Sequence, residues 1–291
     1  MQPIRPRRSA LYVPGSNARA MAKAPTLGAD VVVFDLEDAV APAEKEPARE
    51  RVVEAVAGFR QGGAKFEIVV RVNGLGTEWI ADDLKQIGPV APDAVLLPKI
   101  SSAADLERVR ALVPEQHAFD LWAMIETPRA VLDPLAIALA QDDRLPLSML
   151  VLGLNDLARE TGTRQIGGRA PMLPWMMTAL AAARAAGIGI LDAVFNDIGD
   201  EAGFAAECRQ GRDCGFDGKT VIHPKQIAVA NEAFAPSAEE LAWASRIACV
   251  FDAAENAGKG VVQVDGRMIE RLHADMAQRL LALAAAIEAR G

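Results

Sequence analysis

Val31-Val-Val-Phe-Asp-Leu-Glu-Asp38 is a short apolar run, rich in β-branched residues, that stops abruptly in acids. A run of this length and composition reads as a buried strand, and the polar turn and helical pattern after it complete a βαβ unit. After Pro42 opens an acidic first turn, Val52, Val53 and Val56 recur at helical spacing and supply the apolar face of a crossover helix.

The same alternation extends in both directions. Residues 10–13, 31–35, 67–72, 94–97, 121–125, 149–152, 188–193 and 220–222 are all short apolar runs of this kind, which gives eight candidate strands. A chain of 291 residues has room for two ordinary domains or for one α/β barrel of about 250 residues. Eight strands in series predict the second: an α/β fold, a TIM (β/α)8 barrel over residues 1–230. Beyond it the pattern turns helical. Ser237-Ala-Glu-Glu240 is a capping box, and Leu241, Ala244, Ile247 and Phe251 follow on one face. Val261-Val-Gln-Val264 is a short strand or turn, and a last helix carries Leu272, Met276, Leu280, Leu283 and Ile287 on one stripe. Residues 231–291 are therefore expected to form a C-terminal helical extension, a lid.

Composition narrows the function. Lys and Arg number 31 against 39 Asp and Glu, a net charge of −8, and the only basic cluster is Arg5, Arg7 and Arg8. A nucleic-acid surface needs clustered positive charge, so none is expected. No uncharged apolar stretch reaches the length of a membrane span. Cys208, Cys214 and Cys249 cannot all pair and lack metal or redox spacing, which fits a reducing cytoplasm. The first ten residues are too short for a transit peptide, so the chain is expected to be unprocessed.

In a (β/α)8 barrel the chemistry lies at the C-terminal strand ends. Here those ends carry Asp35, Glu37 and Asp38; Arg71; Lys99; Glu126; Asn155 and Asp156; Asp192; and His223. Acids around one mouth repel one another unless a cation sits among them, and a small all-oxygen set suits Mg²⁺. Any one of these acids could instead cap a following helix. Glu126 is the least cap-like, because it directly follows the buried run Met124-Ile125, and Asp156 occupies the equivalent place one strand later. These two are the candidate metal ligands. Arg71 offers a two-pronged grip on a carboxylate or enolate oxygen, or an ion pair with Asp35, Glu37 or Asp38. Arg19 and Lys23 lie four apart after Pro14-Gly-Ser-Asn17, where they would share a helix face suited to phosphate or merely to solvent. His223 reads as a substrate polariser or a structural residue, and Lys99 as a possible Schiff-base amine.

Taken in order, Tyr12-Val-Pro-Gly15, Arg19-Ala-Met-Ala-Lys23, Phe34-Asp-Leu-Glu-Asp-Ala-Val40, Val70-Arg-Val-Asn-Gly74, Leu97-Pro-Lys99, Ile125-Glu-Thr-Pro128, Gly153-Leu-Asn-Asp156, Gly218-Lys-Thr-Val-Ile-His-Pro224 and Asp265-Gly-Arg-Met-Ile269 resemble the citrate lyase beta-subunit-like (HpcH/HpaI aldolase/citrate lyase) family. The resemblance implies a Mg²⁺-dependent TIM-barrel lyase of 3-hydroxyacyl-CoA esters that yields a keto acid and acetyl-CoA. It implies that Glu126 and Asp156 bind Mg²⁺ and that Arg71 binds the substrate's acid end. Tyr12, Arg19, Lys23, Ile222 and His223 would contact CoA or the acyl group, and Asp35, Glu37 and Asp38 would organise water around the metal. A homo-oligomer, trimer or hexamer, is expected.

One position departs from the pattern. Relatives that hydrolyse the thioester or run a malate-synthase-like reaction carry Asp after Met-Ile in the C-terminal segment, presented to a neighbouring subunit. Here the residue is Glu270, one methylene longer, followed by Arg271. The expectation is accordingly a lyase for citramalyl-CoA or malyl-CoA, with Glu270 as an acid–base group or as a helix N-terminal charge. The rivals are a citrate lyase beta subunit acting within a complex, a thioesterase, a Schiff-base aldolase using Lys99, and a CoA-binding protein without activity.

Overall fold

The computed structural model describes residues 4–256 and 258–290. Eight strands, β1 (Ser9–Pro14), β2 (Val31–Asp35), β3 (Glu67–Arg71), β4 (Ala94–Leu97), β5 (Asp120–Ile125), β6 (Leu147–Leu152), β7 (Gly189–Asp192) and β8 (Gly218–Val221), pair in parallel and in sequence order, and β8 pairs with β1 to close the barrel. All eight expected strands are present, each within two residues of its expected start.

Side chains alternate across the wall because successive residues of a strand face opposite sides. Ala10, Val31, Val33, Val69, Ala94, Leu96, Trp122, Met124, Met149, Val151 and Leu191 fill the interior, with Tyr12 packed on them. The intervening residues, such as Val32, Phe34, Ile68, Val70, Val95 and Leu150, face outward into a larger core under the helices. The helix Lys45–Gln61 buries Val52 and Val56 in that core, as its spacing predicts.

The parity of the inward set continues to the strand ends and selects which side chains reach the mouth. On β2 it runs Val31, Val33, Asp35; on β3, Val69, Arg71; on β5, Trp122, Met124 and then Glu126. Asp192 has the opposite parity to the inward-facing Leu191. It is fully buried outside the wall, where it meets Arg169 at 2.7 Å and Lys219 at 3.0 Å. The expectation that Asp192 joins the acidic mouth is thereby corrected.

The chain divides into two compact units. The barrel unit is Arg7–Phe234, ending with the helix Pro224–Ala233, which packs on β8 and β1. The second unit comprises residues 4–6 and those from Ala235 onward. Its helix Ala238–Ile247 begins with the expected capping box, the Glu240 amide donating to Ser237 Oγ at 3.2 Å and the Ser237 amide to Glu240 at 2.7 Å. Strands β9 (Val261–Val264) and β10 (Arg267–Glu270) form an antiparallel hairpin about Asp265-Gly266, both with positive φ as such a turn requires. The final helix, Arg271–Glu288, buries Ala274 and Ala277, while Leu272 and Met276 of the apolar stripe stay exposed. Among the described residues, no helix is long and apolar enough to cross a membrane.

Candidate active site

The C-terminal strand ends enclose a cleft of about 400 Å³ lined by Tyr12, Asp35, Asp38, Arg71, Met124, Glu126, Leu152, Gly153, Asn155, Asp156, Asn196, Ile222 and neighbouring residues. One side is ionic. Asp35 and Arg71, opposite each other in the β2–β3 register, form a two-pronged pair at 2.7 Å and 2.7 Å. Asp35 also accepts the amides of Glu37 and Ala39, which bends the chain after β2 back over the mouth. The Arg71 guanidinium lies over the Tyr12 ring at 4.9 Å, and its Nη1 is 3.0 Å from Glu37 Oε2. The predicted ion pair of Arg71 therefore exists, and only the N–H groups left over can face a substrate.

Lys99 follows β4 with φ +56°, in the left-handed region. Its ammonium pairs with Glu37 and, at 3.3 Å, with Asp38. Burial alone would lower the Lys99 pKa, but these two carboxylates raise it. An amine held as an ammonium is no nucleophile, which removes the Schiff-base reading.

Glu126 is 1% exposed and accepts the Lys99 amide at 2.7 Å. It caps no helix; the cap of Pro128–Leu132 is Thr127. Burial, and next the charge of Asp156, push its carboxyl up to about 8. Gly153 makes room for it, since a Cβ at that position would lie 2.3 Å from Glu126 Oε2. Asp156 stands in the first turn of the helix Leu154–Thr161, where Arg159 reaches it at 2.6 Å.

Do these residues suit a divalent cation? In and around the cleft Arg71, Lys99 and the buried Lys45 oppose five carboxylates, Asp35, Glu37, Asp38, Glu126 and Asp156, with Arg159 added at the rim. Glu126 is reluctant to ionise beside Asp156, and a cation between them would remove that reluctance. Among the described residues no three carboxylate, histidine or cysteine side chains converge on one point. Two carboxylates with the remaining positions left to water and substrate oxygens is the way Mg²⁺ is commonly held, so the donor set fits.

The remaining expected residues are distributed unevenly. Ile222 lines the cleft. His223 is the N-cap of Pro224–Ala233, its Nδ1 accepting the Lys225 amide at 3.2 Å, so its imidazole has a structural task. Arg19 and Lys23 are exposed on the short helix after β1. Glu270 belongs to the second unit, where it is the N-cap of the last helix and its amide donates to His273 Nδ1 at 2.9 Å. Asn155, expected at the mouth, is joined by hydrogen bonds of 2.8 and 3.1 Å to Asn196, a cleft residue that sequence reading did not single out. For Asn196 no local signal existed, as it lies beyond β7 in a loop.

A family model described as HpcH/HpaI aldolase/citrate lyase matches residues 8–224, the whole barrel apart from its last helix. The chain belongs to this family. The family is one of enzymes, and two curated relatives align with nearly the whole of this chain. A (3S)-malyl-CoA thioesterase of Cereibacter sphaeroides is 48% identical over 284 residues, covering 98% of this chain and 96% of the relative. The citrate lyase subunit beta of Escherichia coli K12 is 34% identical over 290 residues, covering 96% and 94%. Among solved structures, protein CitE from Mycobacterium tuberculosis in complex with magnesium, acetoacetate and coenzyme A superposes with a TM-score of 0.76 at 32% identity, covering 95% of this chain and 97% of that one.

Proposed function

We propose that this protein is a Mg²⁺-dependent carbon–carbon lyase that cleaves a malyl-CoA or citramalyl-CoA type 3-hydroxyacyl thioester to a keto acid and acetyl-CoA. The observation that carries the reading is the buried Glu126 carboxylate facing Asp156 in a cleft with an excess of acids. Glu126 and Asp156 would hold Mg²⁺, which supplies positive charge against an oxygen that is losing its proton. The hydroxyl proton leaves, the bond between C2 and C3 breaks, and its electron pair passes to the thioester as an enolate, which a proton then quenches.

The chain's own groups divide the remaining work. Arg71, fixed by Asp35, turns its free N–H groups to the keto-acid oxygens. Asp35, Glu37 and Asp38 act at one remove by ordering water. Burial holds the Tyr12 phenol protonated, so it is a donor beside the acyl group. Met124, Leu152 and Ile222 keep water from the enolate. Arg19 and Lys23 attract the CoA phosphates, and the Ile222–His223 turn supports the pantetheine arm. Glu270 serves as the acid–base group of a neighbouring subunit, with residues 231–291 as a lid. The exposed Met268, Leu272 and Met276 support association of the second unit into a homo-oligomer, a trimer or hexamer. A cytoplasmic setting is part of the same reading.

A second reading, hydrolysis of the thioester, draws on the relative that is 48% identical and bears that name. Incubation with malyl-CoA, citramalyl-CoA and citryl-CoA separates the two. A lyase releases keto acid and acetyl-CoA without a free thiol, whereas a thioesterase consumes water and frees CoA-SH. We expect keto acid, abolished by a chelator and by Glu126→Gln. Cleavage indifferent to both treatments would sink the metal-dependent reading.

A further inference from the structure

A cation drawn into this cleft meets more carboxylates than its substrate can tolerate. Every acid that ligates it fills a position a substrate oxygen needs, and catalytic metal sites depend on open positions. The structure shows how the excess is occupied. Arg71 takes both oxygens of Asp35 and stands 3.0 Å from Glu37 Oε2. Lys99 takes Glu37 and Asp38, from a backbone that turns its amide toward Glu126. A non-glycine residue in the left-handed region is strained, and such strain persists where surrounding structure fixes it. Here it lets one residue face Glu126 with its amide and the two other acids with its ammonium. Glu37 is 5% exposed, and Lys99 joins it to Glu126, the ammonium on one carboxylate and the backbone amide on the other.

We infer that Lys99 is a positioning residue that holds Glu37 and Asp38 away from the cation, so that Glu126 and Asp156 alone ligate it and the other positions stay open to substrate. The inference rests on the proposed role of Glu126 and Asp156 as the ligands. Without the ammonium, Glu37 would keep the Arg71 guanidinium at Oε2, 3.0 Å away, but its buried Oε1 would lose its partner and move onto the cation.

Mn²⁺ is the probe, with its affinity read by calorimetry and its bound, exchanging waters read by water-proton relaxation. Lys99→Met should bind Mn²⁺ roughly tenfold more tightly, because ligand charge sets affinity, yet with a lower relaxation enhancement as a carboxylate replaces water. Its cleavage rate should fall about tenfold or more, the usual cost of losing an outer partner of a metal site. Lys99→Arg should behave like the parent, and adding Glu37→Gln to Lys99→Met should restore the enhancement. In the parent background Glu37→Gln removes no ligand and should leave the relaxation enhancement of the Mn²⁺-loaded protein unchanged, although affinity falls with the lost charge, a test that does not depend on the Lys99 variant folding. An unchanged enhancement in Lys99→Met overturns the inference even if affinity rises, since long-range charge alone would then explain it. A raised enhancement in the single Glu37→Gln variant, a water taking the place of a carboxylate that already ligates in the parent, also overturns it. If the parent binds no Mn²⁺, or Glu126→Gln binds it equally well, the ligand assignment falls and the inference with it.

Discussion

Arg71 meets Asp35 through two parallel hydrogen bonds of 2.7 Å, across a strand register that sets the two residues opposite each other. A lysine cannot make this fork, and its point charge would sit differently over Tyr12. Arg71→Lys should therefore lower kcat/KM by about 100-fold with a modest loss of stability. Arg71→Met leaves Asp35 buried without its partner and should cost about 3–5 kcal/mol in urea unfolding. Full activity in Arg71→Lys would show that net charge, not the fork, is what the site uses.

Gly153 is confined by Glu126 rather than by its own backbone angles. A methyl group here would sit 2.5 Å from Glu126 Cβ as well as against its Oε2, so the carboxylate must shift. Gly153→Ala should weaken Mg²⁺-dependent turnover by about 10–100-fold, because metal geometry tolerates little displacement. The overpacking should cost about 1–3 kcal/mol. Mg²⁺ titration of the rate checks this, and an unaltered half-saturating Mg²⁺ concentration would contradict it.

How much of this arrangement could be read from the sequence depended on parity. The strands were legible because each is a short apolar run between turns, and Glu126 and Asp156 were legible because each follows such a run closely. Whether a strand's last residue faces the mouth or the helices was not, since both faces of a barrel strand are apolar and a shift of one residue exchanges them. Asp35 falls on the inward parity and Asp192 on the outward one, although both end a strand in the same way. The task of Lys99 was hidden for another reason, since its partners Glu37 and Asp38 follow β2, two strands away around the barrel. β10 was missed because half of its residues are exposed and they form no apolar run.

Arg19 and Lys23 are exposed and, among the described residues, make no ion pair, so their loss should leave stability within about 0.5 kcal/mol. If they meet the CoA phosphates, that binding is the same in ground and transition states. Arg19→Ala and Lys23→Ala should then raise KM for the thioester several-fold with kcat nearly constant, and the effect should shrink with added salt. Steady-state kinetics at two ionic strengths test this, and an unchanged KM at low salt would assign both cations to solvent.

Asp192 makes the outward-facing ion cluster a pH sensor of folding. Its carboxylate accepts from Arg169 at 2.7 and 2.9 Å and from the fully buried Lys219 at 3.0 Å, while Lys219 also reaches Glu207 at 2.7 Å. Gly211 admits it, because a Cβ there would lie 2.7 Å from Asp192 Oδ2. Burial works against ionisation, but Lys219 and then Arg169 outweigh it and hold the carboxyl below its ordinary value. A depressed folded-state pKa gives stability that is complete above the unfolded-state value of about 3.9 and is lost as pH falls through the folded-state value. Asp192→Asn should cost about 3–5 kcal/mol near neutral pH, because Lys219 and Arg169 lose the charge that compensates their burial. The gap between parent and variant should narrow as pH falls below about 3.9, where the unfolded parent takes up a proton at Asp192 that the folded protein resists. Unfolding measured from about pH 7 to about pH 3 checks both parts. A gap of the same size at the two extremes would mean that the Asp192 carboxylate contributes through packing and hydrogen bonding rather than charge.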